Sequence, residues 1–261
     1  MKKVSIFMMI CLIGLSLSSC TPKTYDNLYE DYANYLVEQQ DNYQAYITYL
    51  DEISSNSLKA VVHIESQFLY EGIQNNGSGA VIAEDDDFYY VLTNHHVISY
   101  NNDYPDKILI SNYIDQTLNG HLMFYDASYD LALLSFDKTY ELNIFHIDSH
   151  QVDEYERIGS ISYPDDQNHA ITMGFMIDYD QVSIAGNTLN QVDFDVLISN
   201  VPVKSGSSGS VVFNESFDLV GLVYAGRFFE DDSISTYTYA IPGFKIIEFL
   251  AAYEFEVIDD E

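Results

Sequence analysis

From residue 58 onward the chain breaks into short runs of Val, Ile, Leu, Tyr and Phe separated by Gly, Asn and Asp. β-Branched and aromatic side chains suit a pleated, half-buried surface, and the separators are turn formers, so this stretch reads as strands. The pattern predicts strands over 61–65, 80–83, 89–93, 108–111, 131–136, 196–199, 211–213 and 219–224. Many short strands at this spacing point to an all-β sandwich or a pair of barrels. The acidic run 84–87 reads as the solvated turn of a hairpin. The sequence shows no internal repeat of the kind that marks a solenoid or propeller.

Both ends of this β-rich region are helical in pattern. Before it, Tyr25, Leu28, Tyr29, Tyr32, Tyr35 and Leu36 recur at helical spacing, and Tyr43, Tyr46, Ile47 and Leu50 continue the stripe. One amphipathic helix or a helical pair follows. As a structural element it serves as a stalk or clasp packed through its tyrosines; the alternative is a partner-binding or coiled-coil segment. After it, apolar residues over 244–253 follow Pro242-Gly243, which predicts a closing helix. The few residues beyond 253 are too short for another domain.

The first residues carry Lys2 and Lys3, an apolar run over 4–17, and then Leu17-Ser18-Ser19-Cys20. The run is shorter than the roughly 20 residues a membrane-spanning helix needs, so 1–19 is expected to be a cleaved signal peptide. The small residues ahead of Cys20 resemble the lipobox of bacterial lipoproteins, which implies a diacylglycerol on the Cys20 sulfur. Two or three acyl chains, at about 0.8 kcal/mol per buried methylene, would hold the protein on a membrane surface. The expected location is therefore extracytoplasmic, lipid-anchored to a bacterial membrane. With Cys11 removed and Cys20 modified, neither of the two cysteines is available for a disulfide, and stability must come from the core. The expected organisation is signal peptide 1–19, helical stalk or linker 20–57, and a β-rich domain 58–261.

A net charge of −31 excludes nucleic acid and anionic headgroups as partners for the body of the protein and favours solubility outside the cell. The clusters Asp85-Asp86-Asp87, Asp165-Asp166 and Asp231-Asp232 lack the spaced ligands of a calcium loop. His63, His121, His146, His150 and His169 read as ordinary surface or core residues rather than a metal-ligand set. No metal or cofactor is expected.

Three segments carry chemistry: Thr93-Asn94-His95-His96-Val97, Asp130-Leu131-Ala132-Leu133-Leu134, and Ser205-Gly206-Ser207-Ser208-Gly209-Ser210. A serine hydroxyl is a poor nucleophile unless a base stands beside it, and imidazole, with an unperturbed pKa of about 6.5, suits that task. Asp130 heads an apolar strand, where a carboxylate is costly without a partner; an imidazole N–H would be one. Asp126 and Asp137 are rivals that read as solvated loop acids. Gly206 and Gly209 permit a sharp turn that projects a hydroxyl. The chain order His, Asp, Ser excludes the lipase and esterase arrangement, which runs Ser, Asp, His.

These segments, with Gly77-Ser78-Gly79-Ala80-Val81 and Ala240-Ile241-Pro242, resemble the landmarks of chymotrypsin-fold, trypsin-like serine peptidases of the HtrA/Deg type. The resemblance covers 58–253. It implies an all-β fold of two six-stranded antiparallel β-barrels with the active site in the cleft between them. It implies further that His96 rather than His95 is the base, that Asp130 orients it and that Ser208 is the nucleophile. The N–H groups of Gly206 and Ser208 would form the oxyanion hole. The substrate pocket is expected at Pro202, Val203, Val223, Tyr224 and Gly226.

Two departures shape the expected specificity. Where the family has Gly-Asn-Ser-Gly-Gly-Pro, this chain has Gly206-Ser207-Ser208-Gly209-Ser210-Val211. The run Ser210-Val211-Val212-Phe213-Asn214 is similar to glutamyl endopeptidases, but the His and Thr with which those enzymes hold a glutamate correspond to Val223 and Val203. No carboxylate falls at the pocket floor near Pro202, as a preference for Lys or Arg would require. A small-to-medium apolar side chain before the cut is expected. No PDZ domain is expected, which leaves regulation to loop ordering over 201–206, the tyrosine-rich segment or a partner. The function implied is a membrane-anchored serine endopeptidase acting on proteins or peptides through an acyl-enzyme; the alternative is an inactive protease-like lipoprotein serving as a binding module or adhesin.

Overall fold

The computed structural model describes residues 55–256 apart from 102, 165–168, 184–191 and 229–232, together with 34, 35, 37, 40, 44, 45, 47–49 and 51–53 ahead of them. The predicted signal peptide, Cys20, most of the tyrosine stripe and the acidic pairs at 165–166 and 231–232 lie outside the described residues. The chain divides into two compact units, Met1–Asp51 and Glu52–Glu261. In the first, every described residue is helical, in keeping with the helical spacing of its apolar residues. Among the described residues no helix is long and apolar enough to cross a membrane.

The second unit holds two closed six-stranded barrels. Strands β1 (Val61–Phe68), β2 (Ile73–Glu84), β3 (Phe88–Thr93), β4 (Lys107–Ser111), β5 (Thr117–Asp126) and β6 (Leu131–Asp137) close in the order β1-β2-β3-β6-β5-β4. Strands β7 (Arg157–Ser162), β8 (Ala170–Asp180), β9 (Val196–Ser199), β10 (Val211–Phe213), β11 (Leu219–Arg227) and β12 (Tyr237–Pro242) close in the order β10-β11-β12-β9-β8-β7. All pairings in both barrels are antiparallel, as the resemblance implies.

Side-chain alternation explains which way the strands face. In β5 exposure alternates residue by residue, so one face meets the core and the other solvent. β6, between β3 and β5, is buried along six of its seven residues and therefore reads as an unbroken apolar run. Val62, Ile64, Val91, Ile110, Leu134 and Phe136 fill the first barrel, and Ile158, Met176, Leu197, Val201, Val212 and Val223 the second. Neither barrel contains a disulfide's cysteine, so these apolar clusters carry the stability.

Turn chemistry is visible at the β2–β3 hairpin. Asp85 accepts from the N–H groups of Asp87 (2.9 Å) and Phe88 (2.7 Å) and from the Tyr90 hydroxyl (2.7 Å), which closes the acidic turn expected over 84–87. The Tyr90 hydroxyl and those two amides hold the Asp85 carboxyl below its ordinary pKa.

Two straps join the barrels. The connection from β6 to β7 follows the first barrel, where Leu142 N donates to the Tyr89 hydroxyl (2.9 Å) and Phe145 N to Val81 O (2.8 Å), then crosses to the second as Leu219 N donates to His146 O (2.8 Å). The closing helix α1 (Gly243–Ala252) follows β12 and reaches back to β5. There Tyr253 stacks on Phe124 at 4.3 Å and its hydroxyl donates to Tyr125 O (2.7 Å).

Candidate active site

Each of the three chemical segments occupies a turn that the barrels hold in place. His96 lies in a short 3-10 turn, His95–Ile98, directly after β3. Asp130 stands one residue before β6 rather than within it, in the left-handed region at φ 51°, a conformation that Asp tolerates better than most residues. Ser208 sits in the loop between β9 and β10, between Gly206 at φ 85° and Gly209 at φ 81°.

The structure brings all three together. His96 Nδ1 lies 2.7 Å from Asp130 Oδ2, and His96 Nε2 lies 2.8 Å from Ser208 Oγ. Asp130 is 1% exposed, and its other carboxylate oxygen accepts from the His96 backbone N–H at 3.0 Å. The carboxylate thus grips both the ring and the backbone of the same histidine. That geometry fixes the tautomer with its proton on Nδ1 and leaves Nε2 as the acceptor facing Ser208.

His95, the rival histidine, points elsewhere. Its ring stacks on Tyr125 at 4.9 Å with an interplanar angle of 21°, and Tyr104 meets it edge-on at 6.2 Å. Burial pushes its pKa down, and its Nε2 is buried without a hydrogen-bond partner among the described residues. The rival acids are also accounted for. Asp126 caps its own turn by accepting from Ser128 N (2.8 Å), and Asp137 lies exposed at the end of β6.

The serine loop is held from several sides. Ser207 N donates to Lys204 O (3.1 Å), Ser210 N to Ser207 O (3.0 Å) and Gly209 N to Val223 O (2.8 Å). From the first barrel, Ser78 N donates to Ser208 O (2.7 Å). A Cβ on Gly209 would stand 2.0 Å from Ser78 O and 2.5 Å from Thr93 Oγ1. Only glycine fits there, by space as well as by φ. Among the described residues, no acceptor in the chain takes the N–H of Gly206 or of Ser208. Both are therefore free to donate to an atom from outside the chain.

Of the five expected pocket residues, Pro202 and Gly226 are partly exposed, whereas Val203 and Val223 are buried in the apolar cluster of the second barrel. Tyr224 is the bulged residue of β11, since Val223 pairs with Ala240 and Ala225 with Tyr239. Its ring is 2% exposed, and burial, aided by the Asp130 charge, raises its hydroxyl pKa. The segment 201–203 is bound to the start of β12 and the turn before it. Val203 N donates to Ser235 Oγ (2.9 Å) and Thr238 Oγ1 to Val201 O (2.6 Å). The Ser235 and Thr238 hydroxyls are thus engaged within the fold.

Several supporting side chains carry roles that the sequence motifs alone did not reveal. Asn94 Nδ2 donates to Asp130 O at 3.1 Å. Thr93 Oγ1 donates to Ser78 O at 2.8 Å. Asn75 Nδ2 donates to Ser99 O at 3.1 Å and to His96 O at 3.4 Å, tying β2 to the turn that carries His96. Thr93, Asn94 and Ser78 lie inside recognisable motifs, but Asn75 has no local signal, because its partners stand 21 and 24 residues away. Among the described residues no group of three His, Cys, Asp or Glu could hold a metal ion.

The family profile of the trypsin-like peptidase domain matches residues 77–222, from Gly77-Ser78-Gly79 within β2 to the middle of β11. No curated protein matches the sequence. Among solved structures, the active form of the Rv3671c protease from M. tuberculosis is similar, with a TM-score of 0.62 at 20% identity over 74% of this chain and 80% of that one. The HtrA-type protease AlgW, solved with a tripeptide, gives a TM-score of 0.63 at 18% identity over 79% of this chain and 64% of that one. This chain therefore spans under two thirds of AlgW. At these identities the structures establish a shared fold; the profile, which spans more than half of the sequence, establishes that the chain belongs to the trypsin-like peptidase family.

Proposed function

We propose that this serine peptidase is a membrane-anchored extracytoplasmic endopeptidase that works through Ser208, His96 and Asp130. The observation that carries the reading is the imidazole of His96, whose two nitrogens stand 2.7 Å from Asp130 and 2.8 Å from Ser208. In that position Ser208 Oγ attacks the scissile carbonyl carbon while its proton passes to His96 Nε2. The carbonyl oxygen becomes an oxyanion facing the free N–H groups of Gly206 and Ser208. Losing one such donor can cost roughly 2.7 to 4 kcal/mol of transition-state stabilisation. Collapse of the tetrahedral species breaks the C–N bond, and His96 returns the proton to the leaving amine. An acyl-Ser208 ester remains. Water then repeats the sequence, with His96 taking its proton and Ser208 recovering it.

A reagent that reads this machinery directly is a fluorophosphonate probe. The wild-type protein is expected to label covalently and the Ser208→Ala variant not at all; equal labelling of the two, or none of the folded wild type, overturns the assignment and favours a binding module. Val203 and Val223, which stand where glutamyl endopeptidases have a Thr and a His, and the absence of a carboxylate near Pro202 support a preference for a small-to-medium apolar residue before the cut. A peptide-library profile dominated by Glu, Lys or Arg would refute it.

The anchor rests on the sequence: the short apolar run over 4–17 and the lipobox-like Leu17-Ser18-Ser19-Cys20. Acylation at Cys20 would hold the protein on the extracytoplasmic side of a bacterial membrane, at the cell surface or facing the periplasm. Cys20→Ala is expected to release the protein from the membrane fraction.

A further inference from the structure

Ser78 lies on β2 of the first barrel and is wholly buried, yet all three of its polar groups are spent on neighbours at the active site. Its N–H donates to Ser208 O (2.7 Å), and its carbonyl accepts from the Thr93 hydroxyl (2.8 Å). The remaining group is the hydroxyl. Tyr163 N, just beyond β7 in the second barrel, donates to Ser78 Oγ at 2.9 Å. Because that bond uses a lone pair, the hydroxyl proton is free to be given away, and the acceptor it meets is Gly206 O at 3.4 Å. The backbone bond to Ser208 O is within reach of any residue but proline at this position. The hydroxyl bridge is not, since it needs a small side chain that accepts and donates at once.

From this we infer that the Ser78 hydroxyl is a positioning group for the oxyanion hole, a relay that holds the Gly206 carbonyl from the opposite barrel. Gly206 is at φ 85°, a residue with little intrinsic preference about which way its peptide groups face. Its N–H is one of the two amides left free, and its carbonyl begins the next peptide unit. That unit is held at its other end by Ser207 N, which donates to Lys204 O at 3.1 Å, so the relay adds a second hold from the opposite barrel and gives the unit a fixed direction against which the Gly206 amide is set. The Ser78 N–H and hydroxyl together hold Ser208 and Gly206, the two residues whose amides would meet the oxyanion. The Ser78 hydroxyl bonds to Tyr163 and Gly206 and not to the Ser208 hydroxyl, and it acts through Gly206.

This inference rests on the peptidase reading, and the experiment separates the two. In the full-length protein, Ser78→Ala is expected to lower kcat by about ten- to a hundredfold with KM changed less than twofold, because a donor aimed at the oxyanion acts in the transition state. Inhibition by a peptide aldehyde, whose adduct carries an oxygen at that position, should weaken by the same factor. The acid limb of the kcat/KM profile should not move, since His96 and Asp130 are untouched. Ser78→Cys, nearly isosteric but a weak hydrogen-bonder, should behave like the alanine variant while preserving packing. A crystal structure of Ser78→Ala or Ser78→Cys should show the Gly206 carbonyl turned away from its present direction. An unmoved Gly206 peptide overturns the proposal whether or not the wild type cleaves. So does a wild-type kcat in both variants, or a loss confined to KM. A folded wild type that neither cleaves nor labels instead refutes the peptidase reading.

Discussion

Adjacent histidines with opposite surroundings show how much a single residue's environment decides. His96 has a polar partner on each ring nitrogen, whereas His95 is packed on Tyr125 with a buried, unpartnered Nε2. Burial penalises the charged form, so the His95 pKa lies below its ordinary value of 6.5. The sign of the linkage follows. The unfolded chain takes up this proton first as pH falls below 6.5, so the folded state loses stability from there down to the lower folded pKa. His95→Phe keeps an aromatic ring against Tyr125 and removes the titration. Urea midpoints measured between pH 7.5 and 5 should therefore fall less steeply for His95→Phe than for the wild type. Parallel curves would show that His95 is not held neutral. The choice between the two histidines could be made in the sequence only by resemblance, because local composition is the same for both. What distinguishes them in the structure is the direction of the 3-10 turn after β3.

Among the elements, legibility followed apolar content. The predicted strands over 61–65, 89–93, 108–111 and 131–136 all lie within observed β1, β3, β4 and β6, and those over 196–199 and 211–213 coincide with β9 and β10. β5, β7, β8 and β12 escaped notice, and for β5 and β7 the reason is physical. β5 alternates with polar, exposed residues such as Asn119 and His121, and β7 buries Ser160 and Ser162 where an apolar run would have announced a strand. Barrel closure was beyond strand counting altogether, since it depends on pairings such as β1 with β4 that no local pattern encodes. The closing helix was legible, but not its purpose. Phe249 on α1 is 0% exposed and packs against Phe124 of β5 and Tyr129, whose turn leads to Asp130. The helix therefore belongs to one barrel in sequence and braces the other. Phe249→Ala should cost roughly 3–5 kcal/mol in urea denaturation, the range for removing a buried aromatic side chain. A loss below about 1 kcal/mol would mean that α1 does not brace the first barrel.

For the whole molecule the dominant fact is charge. The chain carries 41 acidic against 10 basic residues, and the Lys and Arg ion pairs among the described residues are few and partly or fully exposed: Lys138 with Glu84, Arg157 with Glu215 and Lys245 with Glu248. Exposed pairs of this kind contribute little, so most carboxylates face one another across solvent with no compensating cation. Added salt then screens more repulsion than attraction. The Debye length shrinks from about 30 Å at 0.01 M to about 8 Å at 0.15 M and 3 Å at 1 M, and over the first of these steps the folded state should gain stability. The same field acts on substrates before they reach the cleft. A cationic peptide is drawn toward the protein and an acidic one repelled, so screening should lower kcat/KM for the first and raise it for the second while leaving a neutral peptide nearly unchanged. Three peptides differing only in charges remote from the scissile bond, assayed from 0.01 to 0.5 M NaCl, would read this out. Salt curves of the same sign for the cationic and acidic peptides would mean that local charges, such as Lys204 and Arg227, outweigh the net charge of the body in steering substrate.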